Sequence, residues 1–392
     1  MIDEKLVNDL FFRQRCVQKA LQKAEMDGIL LTTDVNIYYM TGLVFNGYYY
    51  LPADGEPLFF VKRPAGICGE RIFSIHKPEQ IPEIFASNGW TVPRNILLEL
   101  DEVSYNECLR LHHAFRFRKI DNATHFMRRI RMIKTQWEIE QMCRSAESHV
   151  ALYAQIADCY RSGMTDLLFQ AEIEYRMRLQ GSIGVFRTFG PKMNIFMGSV
   201  LAGENAEVPS PYDFALGGAG QTAFCPVGAN GTLLKEGMAI MVDMVGNFTE
   251  YLSDMTRVFA IGSLTEQACK AHQVALEIQD AIEIMAQPGV ACADLFNKAM
   301  SIVEKTKLTA CFMGIRQQAK FIGHGIGLEI NEPPIIAPRS KEVLEPGMTF
   351  ALEPKFVIPQ VGAVGVENSY LVTETGVEKL TNFMEEVIVI NG

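Results

Sequence analysis

Apolar residues between positions 3 and 26 recur at helical spacing, at Leu6, Leu10, Val17 and Leu21, and Gly28 follows as a stop. The spacing predicts an opening helix. Gly28 to Thr33 then reads as a buried strand, and Leu58 to Val61 and Ile96 to Leu100 as further strands. A helical stretch follows from Ser104 to Phe115. Strands alternating with helices predict an α/β unit over residues 1–130. Basic residues then concentrate at Arg128, Arg129, Arg131 and Lys134, which read as a solvated linker or, less simply, an anion site. A long helix should follow, from about Trp137 to Arg161.

The second part, residues 131–392, contains a loose internal repeat. Leu234 to Asp243 (Leu-Lys-Glu-Gly-Met-Ala-Ile-Met-Val-Asp) matches Leu344 to Glu353 (Leu-Glu-Pro-Gly-Met-Thr-Phe-Ala-Leu-Glu) in its leucine, glycine, methionine and terminal carboxylate. Upstream of each lies a helix-start signal, with Asp166 and Asp294 as the expected caps. Two halves with the same order of helix and β-segment predict a duplicated α+β domain.

At 392 residues the chain is long enough for two cores. A net charge of -10, dispersed along the chain, argues against nucleic acid as a partner. The first residues, Met-Ile-Asp-Glu-Lys, lack the pattern of a secretory signal, and no apolar run approaches the ~20 residues that cross a bilayer. The 9 cysteines are scattered without a Cys-x-x-Cys pair, which suggests reduced thiols and a cytoplasmic setting.

Asp243, Asp254, Glu353 and Glu367 all sit in or beside apolar, strand-like segments. An ionised carboxylate there is costly unless it is paired or binds a cation. Asp254 follows Asp243 by eleven residues, so two strands joined by a turn would point both side chains to one face. His324 lies in Gly-His-Gly-Ile-Gly, where glycines allow close backbone approach. Two divalent ions sharing carboxylates would neutralise such a set, and oxygen ligands with one imidazole suit Mn, Fe, Co or Zn. The alternative is a set of internal salt bridges. Few bases are near enough in sequence to make them: Arg257 beside Asp254 and Lys355 beside Glu353.

These segments resemble the pita-bread metallopeptidases, a group that includes Xaa-Pro aminopeptidases, prolidases and creatinases. Asn36-Ile-Tyr-Tyr-Met-Thr-Gly42 is similar to the creatinase-type N-terminal domain. Arg131 to Ile139 resembles the start of the catalytic domain. Val242-Asp243, Ser253-Asp254-Met-Thr-Arg257, Gly323-His324-Gly-Ile-Gly327 and Leu352-Glu353-Pro354 resemble the metal motifs. The resemblance implies an α/β N-terminal domain followed by an α+β pita-bread domain, and a homodimer. It implies that Asp243 and Asp254 hold one metal, that His324 and Glu353 hold the other, and that Asp254 and Glu367 bridge. Glu353 would be the general base for a metal-bridging water.

Three departures stand out. The family carries a histidine seventeen residues before the first aspartate, where this chain has Pro226, or Ser210 if the loop is longer. A second family histidine aligns with Asn331, which donates a hydrogen bond but shuttles no proton. An arginine common in prolidases aligns with Gly365. The Gly- and Pro-rich stretch from 204 to 230 is either a specificity loop or an inert surface loop. His112-His113 reads as a surface pair and Cys225 as a structural thiol.

Three functions stay open. The first is a hydrolase of short peptides, among them those with Pro after the scissile bond. The second is a metalloenzyme of the same fold acting on a small modified amino acid, as lyase or hydrolase, because both histidines are replaced. The third is a binding protein without turnover.

Overall fold

The computed structural model describes residues 4–190 and 197–391. The chain divides into two compact units, Met1–Arg131 and Met132–Gly392.

The first unit runs α1 (Glu4–Lys23), β1 (Gly28–Leu31), α2 (Asp34–Thr41), β2 (Asn46–Pro52), β3 (Leu58–Arg63), β4 (Ile72–Ser74), α3 (Gln80–Ser87), β5 (Asn95–Leu98), α4 (Tyr105–Phe115), β6 (Lys119–Asn122) and α5 (Ala123–Met132). Residue 3, where the opening helix was expected to begin, lies outside the described residues. The six strands form one mixed sheet in the order β4-β3-β2-β1-β5-β6. Its core packs Leu30, Tyr50, Phe60, Phe85, Leu98 and Leu111.

The strand expected over Gly28 to Thr33 stops at Leu31. The backbone N–H groups of Thr32 and Thr33 turn instead to the buried carboxylate of Glu99. Thr33 caps α2, so the Asn36 segment is helical. The cluster of bases is not a solvated linker: Arg128, Arg131 and Lys134 are buried. Arg131 donates to Asn36 Oδ1 at 2.7 Å.

The second unit continues with α6 (Gln136–Tyr153), α7 (Asp166–Leu179), β7 (Gly198–Ala202), β8 (Ala239–Gly246), β9 (Ser253–Ile261), α8 (Glu266–Met285), α9 (Cys292–Val303), β10 (Gly323–Gly325), β11 (Glu332–Ile336), β12 (Thr349–Leu352), β13 (Lys355–Ile358), β14 (Gly362–Gly365), β15 (Asn368–Val372), β16 (Val377–Lys379) and β17 (Ile388–Ile390). Among the described residues three sheets form: β17-β9-β8-β7, β11-β10-β12-β15-β16, and the β13-β14 ribbon. α6 opens on a capping box between Thr135 and Glu138 and ends at Tyr153, earlier than the apolar spacing suggested.

The internal repeat is structural. Thr165 bridges Leu233 ahead of β8, and Ala291 bridges Val343 ahead of β12. The repeat thus reproduces helix start, antiparallel bridge, strand and terminal carboxylate. The expected caps differ. Thr165, not Asp166, caps α7. Asp166 is buried and accepts the N–H groups of Asn230 and Gly231. Asp294 lies within the first turn of α9, where an acid suits the helix dipole, and Ala291 at the N-cap makes no side-chain bond. No helix among the described residues is long and apolar enough to cross a membrane.

Candidate metal centre

Strand register aims the site. In the β8-β9 pair, Asp243 lies opposite Thr256 and Asp254 opposite Val245, so Asp243, Asp254 and Thr256 leave one face. In the neighbouring sheet His324 lies opposite Ala351, and Ala351 opposite Ser369. Glu353 is two residues beyond Ala351 and Glu367 two before Ser369, so the period-2 alternation of strands turns all three to a common face. A bridge between Thr256 and Glu367 joins the two sheets. Ser369 Oγ accepts from Asp254 N at 2.8 Å and donates to Asp254 O at 3.0 Å.

The five residues singled out from the sequence as metal ligands therefore converge. Asp254, Glu353 and Glu367 are buried, and Asp243 and His324 are half-buried. Thr256 donates to Glu367 Oε2 at 2.6 Å. Arg257, fully buried, donates to the carbonyls of Glu367, Met384 and Phe383 and to Asn368 Oδ1. It fixes the backbone that presents Glu367.

At the middle of this set lies Lys355. Its ammonium donates to Asp243 Oδ2 at 2.9 Å, Glu353 Oε2 at 2.8 Å and Glu367 Oε2 at 2.9 Å. The side chain is 0% exposed. Burial alone would drive its proton off, but Asp243, Glu353 and Glu367 overcome that and hold the amine well above the ordinary lysine range. Asp243 is pushed up by burial, with Lys355 pulling against that rise. Asp254, which Lys355 does not contact through a hydrogen bond, is pushed well above the carboxylate range by burial and then by the charges of Glu367 and Asp243.

A second position beside the lysine lacks compensation. Asp254 Oδ1 is buried with no hydrogen-bond partner. His324 Nδ1 lies 3.2 Å from the Gly325 carbonyl, which only accepts. In the neutral ring that nitrogen carries the proton, leaving the Nε2 lone pair directed at Glu353 Oε1 (3.5 Å) and Asp254 Oδ2 (3.9 Å). Lone pairs facing carboxylates call for a cation between them. Asp254, His324 and Glu367 each offer one ligand atom, all within 4.8 Å of one another. These residues fit one divalent ion. At the Asp243 end, where the resemblance implies a second ion, Lys355 takes one oxygen each of Asp243, Glu353 and Glu367.

Asn331 is engaged differently. Its Oδ1 accepts from Phe189 N and its Nδ2 donates to Phe189 O, both at 2.8 Å. It clamps the main chain of residue 189. Beside it, Glu332 pairs with buried Lys134 at 2.9 Å. Ser210 and Pro226 lie in the 204–230 stretch, whose backbone is tied down by Asn205: its Oδ1 accepts from Ala219 N and its Nδ2 donates to Gly228 O. Lys355, Thr256 and Ser369 were not assigned site roles in the sequence. The signal for Lys355 was present in Glu353-Pro354-Lys355: two residues apart in a β-segment means one face.

The chain matches metallopeptidase family M24 over residues 140–374 and the creatinase/prolidase N-terminal domain over residues 13–133. It is 25% identical over 377 residues to an Xaa-Pro dipeptidase of Pyrococcus furiosus, covering 94% of this chain and 97% of that protein. Two solved structures share its architecture. An Xaa-Pro dipeptidase from Bacillus anthracis superposes with a TM-score of 0.80 at 22% identity, covering 97% of this chain and 100% of that one. An X-Pro aminopeptidase from Thermotoga maritima gives 0.78 at 21% identity, covering 93% and 98%. The chain belongs to metallopeptidase family M24, with a creatinase/prolidase-type domain ahead of the pita-bread domain that carries this carboxylate centre.

Proposed function

We propose that the protein hydrolyses an amide bond in a short peptide, with Xaa-Pro dipeptides and tripeptides as its first candidate substrates, at a centre holding a divalent ion between Asp254, His324 and Glu367. The observation that carries this is the buried Asp254 Oδ1, without a hydrogen-bond partner, beside a His324 Nε2 that faces Glu353 Oε1 at 3.5 Å. An ion bound there supplies positive charge to polarise a substrate carbonyl and to acidify a water. Glu353 is the candidate base. Its Oε2 is held by Lys355, and its Oε1 faces His324. Thr256 and Arg257 steady Glu367, and Lys355 keeps Asp243 and Glu353 apart from each other's charge. Asn331 acts through the Phe189 backbone as a positioning residue. Names of relatives support the substrate class, and homodimerisation and a cytoplasmic setting are proposed on the same likeness.

The test is turnover of an Xaa-Pro panel by protein supplemented with Mn, Co, Fe or Zn, with Glu353→Gln beside it. The variant should lose ~10²–10⁴ in kcat, the range for removing a positioned acid–base group. No turnover by protein with a counted ion bound would remove peptides as substrates.

A further inference from the structure

We infer that Lys355 stands in place of one of two cations at this centre, so that the chain takes at most one metal ion. The inference rests on the reading of the cluster as a cation centre. It goes beyond that reading by assigning one of the cation positions to the protein itself.

Three features carry it. First, the ammonium makes three carboxylate contacts at 2.8 to 2.9 Å, to groups delivered by β8, by the end of β12 and by the segment before β15. One nitrogen gathering oxygens from three segments occupies the position of a bridging ion, not the edge of a cluster. Second, its direction is set by the backbone. Lys355 opens β13 and pairs with Gly365, and a Cβ at Gly365 would meet Pro354 O at 2.3 Å and the Lys355 Cα at 2.8 Å. The ribbon is therefore closed tightly against the lysine, and the two-residue offset from Glu353 points the side chain inward. Third, charge is divided unequally. Lys355 donates to Asp243, Glu353 and Glu367 but makes no hydrogen bond to Asp254, whose Oδ1 is buried without a hydrogen-bond partner beside His324, which leaves a place for one divalent ion next to the lysine.

The role of Lys355 is electrostatic: its Nζ holds Glu353 and Glu367 in place from a point fixed by the backbone. Removing it leaves the carboxylates of Asp243, Glu353 and Glu367 facing one another, an arrangement of the kind a divalent ion fills.

The experiment is metal counting. Protein stripped with EDTA and dialysed against Mn²⁺ is analysed by mass spectrometry of the metal and by electron paramagnetic resonance, beside Lys355→Ala and Lys355→Met. Wild type should bind no more than one Mn²⁺ per chain, with an uncoupled spectrum. Lys355→Ala should bind one ion more than wild type, and its melting temperature should rise more with Mn²⁺ than that of wild type. Lys355→Met, which fills the space without charge, should gain no ion. Two ions or an exchange-coupled Mn pair in wild type would overturn the inference even if neither variant folds. Lys355→Ala folded with no more metal than wild type would overturn it too. Failure of the peptide assay leaves these counts intact, and two ions in wild type leave the hydrolase reading standing.

Discussion

At the scale of single residues, the site is bordered by a histidine that works by staying neutral. His149 on α6 is fully buried, with Nδ1 3.1 Å from Ser253 Oγ and its ring edge-on to Tyr153. Burial, then the charge of Arg257, lowers its pKa from 6.5 to about 3. The unfolded chain takes up the proton near 6.5, whereas the folded chain refuses it until about 3. Stability from this group is thus full above 6.5 and drains as pH falls toward 3. Between pH 7 and pH 5 the loss should be about 2 kcal/mol, at ~1.4 kcal/mol per pH unit below 6.5. His149→Phe should flatten that slope in urea denaturation at the two pH values, and equal slopes in both proteins would rule the account out. The structure gathers the four carboxylates, singled out because ionised acids in apolar strands are costly without a partner, around His324, singled out by its glycine-rich segment. Lys355 was visible as a salt-bridge candidate, yet its central place depends on a bridge between two sheets that no local pattern contains. Asn331 was read as a stand-in hydrogen-bond donor because the partner of its amide, the backbone of Phe189, is far away in sequence.

At the scale of elements, period-2 alternation was enough to place Asp243 and Asp254 on one face, and the repeat ahead of Asp243 and Glu353 was enough to expect matching strands. Caps were less legible, since a Thr one position earlier out-competed Asp166 for α7 and released that acid to bind the 230–231 backbone. Pairing geometry sets a further constraint. Gly198 opens β7 with φ of 141°, and a Cβ there would lie 2.3 Å from the Asp243 carbonyl oxygen and 2.5 Å from Met244 Cα. No side chain can yield there, because both neighbours are backbone. Gly198→Ala should therefore push β7 from β8 just where Asp243 is presented. We expect a stability loss of about 2 kcal/mol or more, on the scale of strained backbone positions. Thermal and urea unfolding of this variant check the loss, and an unchanged midpoint would mean that β7 does not hold Asp243 in register.

At the scale of the whole molecule, the two units have separate cores, and the site residues all belong to the second. Binding energy for an ion should accordingly be felt in the second unit. Hydrogen exchange with and without Mn²⁺ should show added protection in β8, β9, β12 and β15 and none in the sheet from β1 to β6. Protection spread evenly over both would contradict a centre confined to Asp254, His324 and Glu367. The duplicated architecture was legible from ten-residue motifs; which strand closes which sheet was not, because closure joins residues remote in sequence. That closure has a consequence for how the chain comes to fold. β17 pairs in parallel with β9, Ile388 beside Phe259, and Arg257 on β9 reaches the carbonyls of Phe383 and Met384. During synthesis, then, Asp254 emerges more than a hundred residues before the strand and the carbonyls that pin its neighbours. Long loops must close before the acids are locked, which favours slow assembly. Until residues 383–390 arrive, the nascent centre is a set of carboxylates on an unfinished sheet, and its geometry is among the last things the chain acquires.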